Sequence, residues 1–285
     1  MAEQALYFPG ADRLAVTPLG VIAKGQDGVV FDGCLLRFDS RGGCRAYRLE
    51  NLEPMGQFTL DKSDVLCPHS NSVSLLGNIL YTNLYNTYAK ENDRLEGVCC
   101  AYRISRENGG FVTKLVQVIR IGFAGTSLWQ SENRRDVRPY GNFAVAGGKL
   151  HAFVMQDARH TTRFFRFALP DITAGEPSRW GVPLVTLTPE DIEEQFDECY
   201  VNYMQGATCH KGLLYSVEGF HHPNDRGSPA LRVFDTQQQT QVFYADLTKY
   251  GLVDEPEWID VYRGHLYYAD HTGNVYRLAF TGDTE

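Results

Sequence analysis

Polar side chains that could bind a ligand stand directly before short apolar stretches in five separate parts of the chain. They comprise two carboxylates, an imidazole, two amides, a guanidinium and a phenol: Asp27, His69, Asn71, Arg138, Tyr140, Gln205 and Glu257. Such groups hydrogen-bond small polar molecules, and two facing carboxylates can also serve as the acid and the nucleophile or base of glycoside hydrolysis. Either chemistry requires that these distant segments converge.

Each of these polar residues precedes a unit with the same order of elements. Residues 255–280, EPEWIDVYRGHLYYADHTGNVYRLAF, are the clearest copy: a strand, a glycine turn, a second strand, another glycine turn and a third strand. Turn glycines mark five such units, at Gly33, Gly77, Gly147, Gly212 and Gly264. Short strands joined by glycine turns predict antiparallel meanders. One meander buries too little surface to be stable alone, so neighbouring sheets must cover its faces.

Small sheets that need neighbours predict a single all-β domain over residues 1–285, folded as a five-bladed β-propeller. A six-bladed ring and a two-sheet sandwich are the alternatives. Residues 13–22 are apolar and contain Pro18, as edge strands do, so we expect them to complete the last sheet and close the ring. In the third unit we expect the fourth strand at residues 182–187. A short helix should follow at 189–196, because acidic residues cluster in its first turn.

Charge and composition exclude several classes of function. The chain has 27 basic and 35 acidic residues and a formal net charge of −8, so it lacks the positive charge that binds nucleic acid or anionic lipid. Seven cysteines without CxxC spacing predict neither a disulfide framework nor a zinc site, and we expect buried free thiols. No stretch approaches the ~20 apolar residues of a membrane span, and the first residues do not resemble a signal peptide. We therefore expect a soluble, cytoplasmic protein.

Several segments together resemble a known family. PHSNSVSL with ILYTNLY, CCAYRI with LVQVI, YMQGATCHKGLLYSVEGF with ALRVFD, and DEPEWIDVYRGHLYYADHTGNVYRL are similar to an uncharacterised family of bacterial β-propeller proteins. The resemblance covers residues 64–278, and its HSNS, QGAT and EPE motifs are the most specific. It implies a propeller of five or six blades and carries no established activity. Several members are exported lipoproteins, so the resemblance makes an exported location the alternative to a cytoplasmic one.

In a propeller the first strand of each blade lines the central channel, so the polar residues before these strands would ring one mouth of it. The first hypothesis is a non-catalytic protein that binds a small polar ligand, such as a carbohydrate, at this mouth. One alternative is a glycoside-hydrolase-like enzyme that uses Glu257 and Asp27 as its carboxylate pair. Another is a scaffold for protein partners. We weigh equally with ligand binding a purely structural role, in which the same side chains form hydrogen bonds with buried backbone groups.

No cofactor is expected at this mouth. The alternative is a channel cation such as calcium, held by His69 together with Asp27, Asn71 and Glu257, although no dense acidic calcium loop is present.

Two further groups receive a structural interpretation. His221 and His222 are adjacent in a polar loop and are expected to be solvated rather than bound to a metal. Tyr81, Tyr85 and Tyr88 are either strand aromatics, which we favour, or a rim for sugar stacking.

Overall fold

The computed structural model describes residues 2–66, 69–84, 97–122, 140–155, 162–198, 204–219 and 227–282. The chain opens with two strands, β1 (Ala2–Gln4) and β2 (Ala11–Val21). Blade 1 follows as an antiparallel sheet of β3 (Gly28–Phe31), β4 (Cys34–Phe38), β5 (Gly43–Arg48) and β6 (Pro54–Thr59). The short helix α1 (Ser63–Leu66) leads to blade 2. Blade 2 contains β7 (Val73–Leu76), β8 (Ile79–Leu84), β9 (Val98–Glu107) and β10 (Gly110–Ile121).

Blade 3 begins with β11 (Tyr140–Ala146), β12 (Lys149–Met155) and β13 (Thr162–Ala168). The chain then forms β14 (Glu176–Pro177), β15 (Pro183–Leu187), a 3-10 turn (Pro189–Asp191) and β16 (Ile192–Glu198). Blade 4 contains β17 (Met204–His210), β18 (Leu213–Glu218), β19 (Ala230–Asp235) and β20 (Thr240–Asp246), followed by a 3-10 turn (Leu247–Tyr250). Blade 5 contains β21 (Pro256–Tyr262), β22 (His265–Asp270) and β23 (Asn274–Gly282).

The first strand of each blade lies at the centre of a ring. β3, β7, β11, β17 and β21 contact one another in that order, and β21 contacts β3. The described residues therefore form the five-bladed β-propeller that the sequence predicts. Within the parts of the chain that the structure describes, no helix is long and apolar enough to cross a membrane.

The N-terminal strand closes the ring, as predicted. β2 pairs antiparallel with β23 of blade 5, from Ala11 opposite Gly282 to Val21 opposite Asn274. Pro18 lies at this outer edge beside an irregularity in the pairing, where a missing N–H is tolerated. The first and last strands of the chain therefore complete the same sheet.

Apolar side chains fill the spaces between blades, and each of the five large buried clusters lies between one pair of neighbours. Leu35 belongs to the same cluster as Trp258 of blade 5, whereas the next residue, Leu36, belongs to the cluster of Leu80 in blade 2. Successive strand residues point to opposite faces, so both faces of a blade are buried. This explains why the strands are almost continuously apolar instead of alternating with polar residues.

The route from blade 3 to blade 4 differs from the sequence prediction. Residues 182–187 were expected as the fourth strand of blade 3, but β15 pairs in parallel with β10 at the outer edge of blade 2. The helix predicted at 189–196 is also wrong, because only Pro189–Asp191 form a 3-10 turn. β16 takes the fourth position of blade 3, antiparallel to β13.

Charge pairs across the sheet explain why β16 is a strand. Glu193 and Glu194 both pair with Arg166 of β13, with N–O distances of 3.3 and 2.6 Å. Phe196 stacks on Phe164, with ring centroids 4.4 Å apart. Cross-strand pairs of these kinds stabilise a sheet. The acidic residues that resemble the first turn of a helix therefore form ion pairs with an arginine of the neighbouring strand.

The closing strand should contribute strongly to stability through Leu14. This side chain is 7% exposed and lies in the cluster between blades 4 and 5, so Leu14→Ala should lower the free energy of unfolding by about 2–5 kcal/mol. Val21 on the same strand is 70% exposed, and Val21→Ala should change it by less than about 0.5 kcal/mol. Chemical denaturation of both variants measures the difference. Equal effects would show that β2 does not close the core.

Candidate ligand site at the channel mouth

Polar side chains from three blades meet at one mouth of the channel. Gln26 donates from Nε2 to Glu257 Oε1 at 3.1 Å, which connects blade 1 to blade 5. Gln205 donates from Nε2 to Glu255 Oε1 at 2.5 Å, which connects blade 4 to blade 5. The first residues of three inner strands and the residues just before them therefore contact each other directly, although they are far apart in the sequence.

Asp27 is fully buried at this mouth, and both of its carboxylate oxygens accept backbone hydrogen bonds. Oδ1 accepts from the N–H of Gly28 at 2.8 Å, and Oδ2 accepts from the N–H of Val73 at 2.6 Å. Burial raises the pKa of Asp27 well above its ordinary value, while these two hydrogen bonds oppose the shift. Since both oxygens bind backbone groups, Asp27 joins blade 1 to blade 2.

Gly206 allows blade 4 to approach this carboxylate closely. A Cβ atom at Gly206 would lie 3.5 Å from Asp27 Oδ1 and 3.1 Å from the carbonyl oxygen of Glu257. A side chain at this position would therefore press against the backbone of blade 5. The glycine of the QGAT motif is thus explained by close packing at the mouth.

Side chains also bond to the backbone of the next blade at two other junctions. The Ser72 hydroxyl donates to the carbonyl oxygen of Phe143 and accepts from its N–H at 2.6 Å, which joins blade 2 to blade 3. The Asn142 side chain donates to the carbonyl oxygen of Met204, which joins blade 3 to blade 4. Neither residue was considered a candidate from the sequence.

Asp260 of the inner strand β21 connects the two remaining junctions. Its Oδ2 accepts from the N–H of Val30 in blade 1 at 3.0 Å, and its Oδ1 accepts from Thr208 Oγ1 in blade 4 at 3.2 Å. Oδ1 also accepts from the N–H of Val261 at 2.8 Å. Burial raises the pKa of Asp260 to about 6, and the hydrogen bonds oppose that shift. One carboxylate therefore bonds to three blades.

Glu257 differs from the two aspartates because one of its oxygens has no partner. The residue is 2% exposed; Oε1 accepts from Gln26, but Oε2 accepts no hydrogen bond from any described residue. Burial raises the pKa of Glu257 well above its ordinary value, as does the nearby Glu255, while the charge of Arg37 lowers it. Glu257 therefore holds its proton to higher pH than an exposed glutamate, and it can donate a hydrogen bond when protonated.

Arg37 is the buried cation beside these carboxyl groups, and sequence reasoning missed it. Its Nη2 donates to the carbonyl oxygens of Gly25 at 3.0 Å and of Asp270 at 2.9 Å. Burial lowers the pKa of Arg37, and the charges of Glu257 and Asp27 oppose that shift. The sequence does contain one indication of its role, because Arg37 lies inside the apolar stretch LLRF. A buried strand contains an arginine only when the charge has partners.

His69 and Asn71 lie at the start of blade 2. Burial lowers the pKa of His69, so its imidazole is uncharged at neutral pH. Asn71 Oδ1 accepts a hydrogen bond from Asn83, which also donates to Asn142 Oδ1 at 3.2 Å. Asn71 is thus part of an amide network that joins blades 2 and 3.

Two predicted site residues cannot be placed in this mouth. The backbone of Tyr140 begins β11, but the placement of its side chain is not described, and Arg138 lies outside the described residues. The expectations for His221, His222, Tyr85 and Tyr88 also fall outside them. In the described ranges, no three His, Cys, Asp or Glu residues lie close enough to hold a metal ion.

Glu218 is a further buried carboxyl group, and the sequence did not reveal it. It ends β18 opposite Met204, and its Oε1 accepts from Arg232 Nε at 2.8 Å. Its Oε2 has no hydrogen-bond partner among the described residues. Burial raises the pKa of Glu218 to about 7, while Arg232 lowers it.

Comparisons with known proteins support the fold. No protein-family model matches the sequence, and no curated protein matches it. The chain is similar to glutaminyl cyclase from Myxococcus xanthus, with a TM-score of 0.53 and 15% identity over 95% of this chain and 96% of that one. It is also similar to the β-propeller domain of Cps50 (Swd1) from Myceliophteria thermophila, with a TM-score of 0.46 and 10% identity over 94% of this chain and 100% of that one.

The arrangement of the described strands makes this a five-bladed β-propeller protein, and the low identities assign it no particular activity. The resemblance to an uncharacterised bacterial family stays a prediction.

The buried Glu218 should make stability depend on pH. Its folded-state pKa of about 7 lies above its ordinary value of 4.5, so its contribution is complete below pH 4.5 and is lost as pH rises through 7. Relative to Glu218→Gln, the wild-type free energy of unfolding should therefore fall by about 3 kcal/mol between pH 4.5 and 8. Urea denaturation at a series of pH values measures this difference. A difference that is constant or rises with pH would contradict the burial of Glu218.

Proposed function

We propose that the channel mouth binds a small polar ligand, and that this ligand is a carbohydrate. The observation that carries the proposal is the Oε2 atom of Glu257, a buried carboxyl oxygen with no hydrogen-bond partner among the described residues. Leaving such an atom unpaired costs roughly 1–3 kcal/mol. A ligand hydroxyl that reaches Oε2 and donates to it removes this cost and gains affinity from doing so.

The groups around Glu257 suit a ligand with several hydroxyl groups. The side-chain amides of Gln26 and Gln205 can donate and accept hydrogen bonds, and Glu255 is a second carboxylate at the mouth. A hydroxyl both donates and accepts, so neighbouring sugar hydroxyls match such a mixed set better than an anion does. Glu255, and Glu257 whenever it is ionised, also disfavour a negatively charged ligand.

The same geometry favours binding over glycoside hydrolysis. A glycosidase needs two carboxyl groups that face the scissile bond from opposite sides. Glu257 has an unpaired oxygen, but both oxygens of Asp27 accept backbone hydrogen bonds. Using Asp27 as a nucleophile or base would break the junction between blades 1 and 2. These contacts favour recognition of a ligand over the alternative, a catalytic pair of Glu257 and Asp27.

The test compares Glu257→Gln with the wild-type protein. A panel of neutral mono- and disaccharides is first screened by thermal shift, and the best sugar is then titrated by calorimetry. Gln keeps the side-chain size and the acceptor for Gln26 but loses the carboxyl group, so the affinity should fall at least about tenfold. The free energy of unfolding should change by less than about 1 kcal/mol.

Glu107→Gln is the matched control, because Glu107 is an exposed glutamate at the end of β9. It should bind the sugar like the wild-type protein. Equal affinity in wild type and Glu257→Gln, or no sugar binding at all, would contradict the proposal and favour a protein-interaction scaffold. Cleavage of a disaccharide, or ammonia release from a peptide with N-terminal glutamine, would contradict a non-catalytic role.

A further inference from the structure

Arginines surround a cavity of about 760 Å³ on the face opposite the channel mouth. The cavity lies between blades 1 and 5, where the turn at Gly33 follows β3 and the turn at Arg263 follows β21. Its volume is in the range that small-molecule sites occupy. This cavity is separate from the channel mouth because it lies at the other ends of the inner strands.

The lining of this cavity is positively charged, although the chain as a whole has a net charge of −8. Four arginines and one histidine line it, against two acidic residues: Arg48, Arg106, Arg263, Arg277 and His265, with Asp32 and Glu50. A concave surface with one sign of charge concentrates ligands of the opposite sign.

Two of these arginines already have carboxylate partners. Arg106 pairs with Asp32 at 2.9 Å, and Arg48 lies 3.7 Å from Glu53. The guanidinium groups of Arg263 and Arg277 form no hydrogen bond or ion pair with another described residue, although the backbone of Arg277 pairs within its sheet. Arg263 lies over the ring of Tyr262 at 5.2 Å. Two guanidinium groups are therefore available to a ligand.

Two tyrosines lie beside these available arginines in the lining of the cavity. Tyr267 is directly opposite Arg277 in the pairing of β22 with β23, and Tyr262 precedes Arg263. Tyr267, Arg263 and Arg277 all line this cavity; burial raises the pKa of Tyr267, whereas the charges of Arg277 and Arg263 lower it. Tyr262 and Tyr267 are both partly exposed, so they offer a flat apolar surface beside the cations.

We propose that this cavity binds a small phosphate monoester whose organic part is a flat ring. The forked donors of Arg263 and Arg277 suit the oxygens of a phosphate group, and a dianion matches two unpaired cations better than a carboxylate does. The ring would lie against Tyr262 and Tyr267. This site would act independently of the channel mouth, which is acidic and on the other face.

Calorimetric titration of the full chain with phenyl phosphate tests the proposal, with inorganic phosphate and benzoate as comparison ligands. Phenyl phosphate should bind more tightly than either, because only it supplies both the dianion and the ring. The double variant Arg263→Gln/Arg277→Gln should bind it at least about tenfold more weakly, since it loses two charge-assisted contacts. Added salt should also weaken binding to the wild-type protein.

Arg103→Gln is the matched control, because Arg103 is an exposed arginine of β9 that does not line the cavity. It should leave the affinity unchanged, and so should Glu257→Gln at the channel mouth. Thermal unfolding of each variant shows that the fold is intact. No binding of phenyl phosphate at millimolar concentration, equal binding by the double variant, or benzoate binding as tightly as phenyl phosphate would overturn the proposal.

Discussion

Buried and partly buried side chains that hydrogen-bond to the neighbouring blade hold the inner strands of this ring in place. Neighbouring inner strands pack against each other through apolar contacts, which have no preferred direction. At every junction of the ring, this orientation is fixed by hydrogen bonds that Asp27 and Asp260 accept and that Ser72 and Asn142 form with the backbone of the next blade. These bonds must be complete, because a buried polar group without a partner would destabilise the fold. The ring therefore places polar groups at its own centre.

This requirement separates the polar residues of the channel into two kinds. The carboxylate oxygens of Asp27 and Asp260 accept hydrogen bonds from backbone N–H groups, so these two residues stabilise the fold. Glu257 keeps one buried oxygen without a partner, and Arg37 balances part of the acidic charge around it. The proposed carbohydrate site depends on this remaining oxygen. The arginine-lined cavity on the opposite face has the reverse charge, so the two faces suit chemically different ligands.

Local patterns explain what the sequence predicts correctly. Glycine turns between short apolar strands indicate meanders, and Pro18 indicates an edge strand, because both effects act within a few residues. The acidic residues of 190–194 also form a local pattern, but their partner Arg166 lies on another strand, and this contact makes β16 a strand instead of a helix. Arg37 and Asp260 were missed for the same reason. Their roles depend on which backbone groups of other blades they meet, and one sequence does not reveal those contacts.

Native-state hydrogen exchange tests the central role of these junctions most directly. The relevant amides are those of Val30, Val73 and Phe143, which donate to side chains of the neighbouring blade instead of pairing within their own sheet at that position. If the side-chain bonds hold the ring together, these three amides should exchange only through global unfolding, with the same free energy as the most protected amides in the middle strands. Exchange through local opening, at a free energy well below that of global unfolding, would contradict this account.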